Sequence, residues 1–406
     1  MPVRIFFSVG EPSGDLHGSN LVRRLKEHDD SIECVGFGGP KMAAAGCDIH
    51  YDLTQMAVMF IWEVLKKLRF FFRLVDRAED YFQQNKVDAV VLIDYPGFNW
   101  HIAKRAKRHG IPVYYYGTPQ MWAWAPWRVR KIRKYVDHVL CKLPFEVDWF
   151  AARGCTATYV GHPYFDQLTS QTFDEVFCEE LNRDPEPLVT LLPGSRNQEV
   201  DRHLPILLDV AEEIQAQVPS CRIAIACFSE KHLRLAEEMT AKRSSVIQSH
   251  VDRTPELMRS STICLACSGS VSLELLHYRK PTIIVYQLAR WMMVAQAFLL
   301  RTKFITLVNL IAAKDIRKRT WGVYDPDDLE NGDGQEVAVM PEYVTVGNPA
   351  AAVARKAITW LGDSQALDDN VQQLDRLAKQ YARPGATDRA AEYIICLLYT
   401  SPSPRD

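Results

Sequence analysis

An apolar run, Val3 to Val9, empties into Gly10-Glu11-Pro12-Ser13-Gly14-Asp15-Leu16-His17-Gly18 and then into the helical periodicity of Leu21, Val22 and Leu25. Few patterns restrict a fold as much. A strand buried on both faces that ends in a glycine-punctuated polar turn and resumes as a helix is the repeating unit of open parallel α/β sheets, whose ligands bind at the strands' carboxyl ends. The same pattern returns at Leu188 to Leu192, followed by Pro193-Gly194-Ser195-Arg196-Asn197-Gln198-Glu199 and a helical stretch from Leu204 to Ile214. One unit near the start of each half predicts an α/β chain of two Rossmann-like, doubly wound parallel-sheet domains facing a cleft. The first loop is no dinucleotide fingerprint, because its glycine spacing differs and no Walker lysine follows. Its glycines allow close backbone approach, and Glu11, Ser13, Asp15 and His17 offer polar contacts. The alternative is an ordinary strand-to-helix turn capped by Ser13 or Asp15.

At 406 residues the chain can build two cores, and its 47% hydrophobic content is ordinary for a globular protein. Forty-eight basic against fifty acidic residues give a net charge of −2, so no global field draws the chain to nucleic acid and an anionic partner must meet a local patch. Ten scattered cysteines match no disulfide or zinc framework and point to a reducing cytosol. Cys264 and Cys267 form a C-x-x-C at the end of an apolar run, which reads as buried thiols. Val3 to Val9 is too short for a signal peptide and meets a glycine loop where a cleavage site would be. Strand-like runs recur at Val87 to Ile93, Ile111 to Tyr116, Val136 to Leu143, Arg222 to Cys227, Thr262 to Ala266 and Pro281 to Tyr286, alternating with helical stretches. The polar segment Phe173 to Pro187 reads as a linker, and Asp325 to Gly334 as an acidic surface insertion. The expected domains are residues 1–170, completed by helices from about 366 to 396, and residues 186–365. Residues 397–406 break the helical pattern and read as a non-native tail.

Met56 to Val75 places Ile61, Val64, Leu65, Leu68, Phe71, Phe72 and Val75 on one helical face and Lys66, Lys67, Arg69 and Arg73 on the other. Four cations argue against a spanning helix. With Trp62 and its phenylalanines, the segment suits either an anionic membrane surface or a core helix with a solvated basic face. Trp291 to Leu300, between Arg290 and Arg301, is a second apolar stretch open to both readings. Trp122, Trp124 and Trp127, followed by Arg128, Arg130, Lys131 and Arg133, either lie near the same surface or form a solvated basic helix.

In the second half, Cys267-Ser268-Gly269-Ser270 follows an apolar run and opens the helical stretch Val271 to Leu276, a natural seat for a pyrophosphate on free backbone N–H groups. Glu274 lies one turn on, about 6 Å along the axis, where a carboxylate can accept from the hydroxyls of a ribose. Arg196 can donate to the same phosphates. Alternatively, Glu274 is a plain surface carboxylate and Arg196 a salt-bridge partner of Glu199.

The set Gly10-Glu11-Pro12-Ser13-Gly14-Asp15, Ile93-Asp94-Tyr95-Pro96-Gly97-Phe98-Asn99, Trp122-Ala123-Trp124, Leu143-Pro144-Phe145-Glu146, Leu192-Pro193-Gly194-Ser195-Arg196 and Ser268-Gly269-Ser270, in this order, closely resembles the lipid-A-disaccharide synthase family over residues 3 to about 310. The resemblance implies a GT-B glycosyltransferase that moves 2,3-diacylglucosamine from UDP-2,3-diacylglucosamine to 2,3-diacylglucosamine 1-phosphate with inversion, giving the β-1,6-linked disaccharide 1-phosphate and UDP. It implies Asp94 as general base, with capping or acceptor orientation as the other roles open to it. It further implies Arg196 on the leaving group, and Gly194, Ser195, Glu199, Ser268, Gly269, Ser270, Glu274 and Asn309 around UDP. Gly10, Glu11, Ser13, Gly14, Asp15 and His17 fall to the acceptor side. No metal and no cofactor are required. Ile61, Trp62, Leu65, Lys66, Leu68, Arg69, Phe71, Phe72 and Arg73 would meet lipid, with the enzyme cytoplasmic and peripheral on the inner face of the inner membrane. A homodimer stays open. The rival readings are a UDP-N-acetylglucosamine 2-epimerase-like enzyme and a non-catalytic, membrane-associated nucleotide-sugar binder.

Overall fold

A computed structural model describes residues 2–56, 68–243, 245–267, 269–293, 300–317 and 337–400. The chain divides into two compact units, Met1–Asp166 with Arg383–Asp406, and Gln167–Ala382.

The first unit holds β1 (Arg4–Val9), β2 (Glu33–Gly38), β3 (Asp48–Asp52), β4 (Ala89–Ile93), β5 (Val113–Tyr116), β6 (His138–Cys141) and β7 (Ala157–Tyr159). They pair in parallel in the order β3-β2-β1-β4-β5-β6-β7. Alternate residues of β1 serve opposite faces, as the pleat requires. Phe6 packs with Val90, Leu92 and the helices Leu68–Gln84, Pro96–Arg108 and Val129–Tyr135, whereas Ile5, Phe7 and Val9 pack with Val91, Ile93, Leu21, Val22 and Leu25. Each such buried side chain contributes about 1.5–3 kcal/mol, which is why the central strands read as unbroken apolar runs.

The second unit holds β8 (Leu188–Leu192), β9 (Arg222–Cys227), β10 (Ile247–Val251), β11 (Ile263–Ala266), β12 (Thr282–Gln287) and β13 (Glu342–Thr345), all parallel, in the order β10-β9-β8-β11-β12-β13. In both sheets the strand order reverses at one place, between β1 and β4 and between β8 and β11. Chain leaving those strand pairs diverges to opposite faces and opens a crevice at their carboxyl ends. The loops after Val9, Ile93, Leu192 and Ala266 are therefore placed at the crevices by topology alone. Cys264 and Cys267 are buried free thiols, each pushed up to about 12 by burial.

Three expectations change. Only the last helix, Ala386–Thr400, completes the first unit. The helix Ser364–Tyr381 belongs to the second, where Leu374 and Ala378 are buried, Asn370 donates to the Val339 carbonyl at 2.8 Å and Arg279 pairs with Asp375 at 2.7 Å. Residues 397–400 continue the last helix: Leu397 and Leu398 pack against the apolar cluster and the Tyr399 hydroxyl donates to Asp29. In the basic amphipathic segment, Phe71 and Val75 face their own core with Leu74, Ala78 and Phe82, because that face closes over β1 and β4. Arg69, Phe72 and Arg73 are exposed. Ile61, Trp62, Leu65 and Lys66, the side chain of Leu68, and the insertion 325–334 lie outside the described residues. No described helix is long and apolar enough to cross a membrane.

Candidate active site

At the carboxyl end of β4 the backbone turns left-handed at two consecutive non-glycine residues, Asp94 (φ 47°) and Tyr95 (φ 42°). Each costs on the order of 1 kcal/mol or more, so the surroundings must hold them. They do so through the Asp94 carbonyl, which accepts from the Tyr115 hydroxyl at 2.7 Å and the Asn99 amide at 2.8 Å. The buried Asn99 is fixed in turn, since its side-chain oxygen accepts from Ser8 Oγ at 2.7 Å. The turn sends the Asp94 carboxylate toward Lys142, whose Nζ lies 3.4 Å from Oδ1, with both side chains about one-fifth exposed.

Glu11, half-buried at the end of β1, completes a charge cluster. Burial pushes its carboxyl above the usual range, the Asp94 charge pushes it further and Lys142 pulls it back. His17 falls to about 4, chiefly through burial and then through the Lys142 charge. His162 is held well below 6.5 by burial, Lys142 and His17. Its Nδ1 accepts from the Tyr164 backbone N–H at 3.2 Å, which leaves the proton on Nε2. The first unit thus presents a carboxylate beside an ammonium, a second carboxyl that protonates more readily, and two imidazoles neutral at pH 7. Such a group can accept a proton from a hydroxyl and hold an anion.

The glycine loop packs against this cluster. A Cβ on Gly10 would stand 2.3 Å from the Tyr95 ring, and one on Gly14 would stand 2.9 Å from Val9 and 3.8 Å from Asp94 Oδ2. Ser13 is exposed on the first helical turn. Asp15 does something else: its carboxylate accepts from the backbone N–H groups of Gly39, Lys41 and Met42 at 2.9–3.1 Å, so it caps the next helix, Pro40–Ala44. Two sequence motifs likewise meet as a brace. Trp122 Nε1 donates to the buried Glu146 at 2.9 Å, and Glu146 also accepts from the Lys142 and Leu143 backbone, which fixes the residue that pairs with Asp94. Trp122 is therefore interior, whereas Trp124 and Trp127 are exposed, Arg128 stacking over Trp124 at 4.4 Å.

In the second unit Gly194 has φ 122°, and a Cβ there would stand 2.7 Å from Glu199 and 3.1 Å from Cys267, so the loops after β8 and β11 touch at this glycine. Glu199 accepts from the backbone N–H groups of Ser195 and Arg196 at 3.2–3.3 Å and pairs with Arg196 Nη1 at 2.8 Å. The expected salt-bridge alternative is thus realised, yet the Arg196 side chain stays 82% exposed and open to a second partner. Gly269 (φ 148°) and Ser270 are exposed before the helix Val271–His277, on which Glu274 is buried. Ser268 lies outside the described residues. Asn309 is spent on the fold: both amide hydrogens go to Met340 O (2.7 Å) and Glu342 Oε1 (2.8 Å), and its oxygen accepts from Met340 N at 2.9 Å. These bonds fix Asn309 in the interior, on the helix Leu307–Ala312. A recess of about 360 Å³ opens between Arg196 and largely apolar walls.

Lys142, His162 and Tyr115 were not singled out by sequence. Lys142 directly follows β6 and His162 stands three residues past β7, so the carboxyl-end rule that finds Asp94 would have found them too.

The sequence profile of the family described as Lipid-A-disaccharide synthetase matches residues 5–322. A lipid-A-disaccharide synthase of Coxiella burnetii is 33% identical over 313 residues, 77% of this chain and 82% of that protein. Among solved structures, the UDP-GlcNAc 2-epimerase of Neisseria meningitidis bound to UDP-GlcNAc superposes with a TM-score of 0.59 at 12% identity, over 98% of this chain and 100% of the other. The calicheamicin glycosyltransferase CalG4 gives 0.54 at 15% identity, over 99% and 100%. The chain thus shares the GT-B fold with both transferases and epimerases.

Proposed function

The chain belongs to the lipid-A-disaccharide synthetase family, a family of UDP-sugar glycosyltransferases, and from that premise we propose that it joins two lipid-bearing glucosamines by a single inverting displacement. The donor is UDP-2,3-diacylglucosamine and the acceptor 2,3-diacylglucosamine 1-phosphate. The acceptor's 6-hydroxyl attacks C1 of the donor sugar: the new O6–C1 bond forms as the C1–O bond to UDP breaks, and the electron pair leaves on the β-phosphate oxygen. Asp94 takes the hydroxyl proton. The supporting observation is the left-handed turn that carries Asp94 to Lys142 at the switch point of the first sheet. A strained, over-determined backbone at a crevice is where a fixed catalytic group is expected.

Lys142 then offers its charge to the acceptor's phosphate, near Glu11 and the neutral His17. In the second unit, Arg196 and the Gly269-Ser270 backbone receive the diphosphate, and Glu274 is assigned to the ribose. A 2-epimerase shares the fold, but the family match covers the first-unit motifs around Asp94 as well as the nucleotide loops. For the lipid substrates, Phe72, Trp124, Trp127, Arg69 and Arg73 of the first unit form our assigned contact with an anionic membrane.

The test is Asp94→Asn, isosteric and uncharged. Disaccharide formation should fall by about 10²–10⁴-fold while UDP binding is retained; unchanged turnover would remove Asp94 from the mechanism. Docking is checked by vesicle sedimentation: Trp124→Ser with Trp127→Ser should weaken binding to anionic vesicles, and full retention would count against that surface.

A further inference from the structure

The recess beside Arg196 has the wrong chemistry for an anion alone. Beyond Arg196 and Glu199, its walls are Tyr286, Leu288, Met292, Leu300 and Ile305. These walls are built into the fold. The Ile305 backbone N–H donates to the buried Glu342 carboxylate at 2.9 Å, which ties one wall to β13. Opposite, the Tyr286 ring packs on His203 with centroids 5.2 Å apart, and the Gln287 N–H donates to His203 Nε2 at 3.3 Å, tying the end of β12 to the helix that Arg196 precedes. The lining thus joins one ion pair, Arg196 with Glu199, to walls that are apolar apart from the Tyr286 hydroxyl. A nucleobase would need polar partners along its edge, and among these five walls only the Tyr286 hydroxyl offers one. A hydrocarbon chain leaving a phosphorylated sugar matches both parts of that lining, because the exposed Arg196 side chain can take a phosphate and the remaining walls the chain.

We propose that this recess receives a fatty-acyl chain of the donor sugar, so that the second unit recognises lipid as well as nucleotide. The inference rests on the diacylated UDP-sugar reading above. Its geometry is direct: the reacting sugar is bonded to the diphosphate, its acyl groups hang from the adjacent carbons, and the guanidinium assigned to that diphosphate lines the recess. Such a recess also discriminates chain length, because each methylene excluded from water is worth up to about fourfold in affinity.

The test uses the unaltered protein and a UDP-diacylglucosamine carrying a photoreactive diazirine at the end of one acyl chain. Crosslinks, mapped by peptide mass spectrometry, are expected between residues 286 and 305 and should be competed by excess UDP. Crosslinks found only outside that segment would overturn the proposal. Kinetics give a second measurement: Ile305→Trp and, separately, Met292→Trp should reduce the KM preference for long-chain over short-chain donors by about tenfold while the inhibition constant of UDP stays the same. An unchanged chain-length preference with UDP inhibition intact would contradict it. Wild-type protein that forms no disaccharide from donor and acceptor would strike the transferase reading itself, while the crosslink still decides the recess.

Discussion

At the scale of single residues, the site is a set of side chains whose roles depend on who already holds them. Asp94 is held by its carbonyl and leaves its carboxylate for Lys142, whereas Asp15 spends its polar atoms on backbone groups and Asn309 on the Met340 backbone and the Glu342 carboxylate. Removing the hold should matter more for rate than for binding. Asn99→Ala is expected to lower kcat by about ten- to a hundredfold with little change in KM, since a displacement of about 1 Å can cost that much, and steady-state kinetics beside a UDP-binding measurement would show it. The neutral His17 gives a pH prediction. Its folded pKa of about 4 lies below the unfolded value of 6.5, so between those values the unfolded chain binds more protons. Stability should therefore be complete above pH 6.5 and fall, by about 3 kcal/mol, as pH drops toward 4. His17→Gln should flatten that part of a denaturation-versus-pH curve. The places of Asp94, Arg196 and Glu274 in the segments after β4, β8 and β11 were legible in the sequence because each of those strands is a recognisable apolar run. The Glu199–Arg196 pair was legible as an alternative, but the Asp15 cap was read for its own helix and not for Pro40–Ala44, because its partners lie more than twenty residues away.

Among the elements, most interior strands could be read directly, since burial on both faces leaves an unbroken apolar run, but β2 was missed because Gly36 and Gly38 interrupt its run. The edges could not. β3 and β10 are partly exposed along their length and β7 has three residues, none fully buried, so their composition resembles a loop. The same logic explains the basic helix: the period showed an apolar face, but only packing shows that Phe71 and Val75 turn inward while Phe72 stays out. The last helix depends on a distant cap. Asp166 accepts from the backbone N–H groups of Gly385, Ala386 and Thr387 at 2.6–3.1 Å and from the Thr387 hydroxyl at 2.6 Å. Asp166→Ala should cost about 1–3 kcal/mol and raise hydrogen exchange along residues 386–400. Unchanged protection there would mean that the helix is held by its apolar face alone.

For the whole molecule, each unit carries its own core and its own switch point, and the assigned chemistry is divided in the same way: base and acceptor groups in the first, nucleotide groups in the second. Saturating UDP, at about a hundred times its Kd, should therefore add about 2.7 kcal/mol of protection, seen by hydrogen exchange at β8 and β11. Equal protection at β1 and β4 would contradict that division. The GT-B fold by itself serves epimerases and transferases alike, so the product decides between them. The direct measurement is to incubate the protein with UDP-2,3-diacylglucosamine and 2,3-diacylglucosamine 1-phosphate and identify the products by mass spectrometry. The expected products are a β-1,6-linked disaccharide 1-phosphate and one UDP for each bond formed, whereas conversion of the donor to its 2-epimer with the acceptor untouched would contradict the transferase assignment.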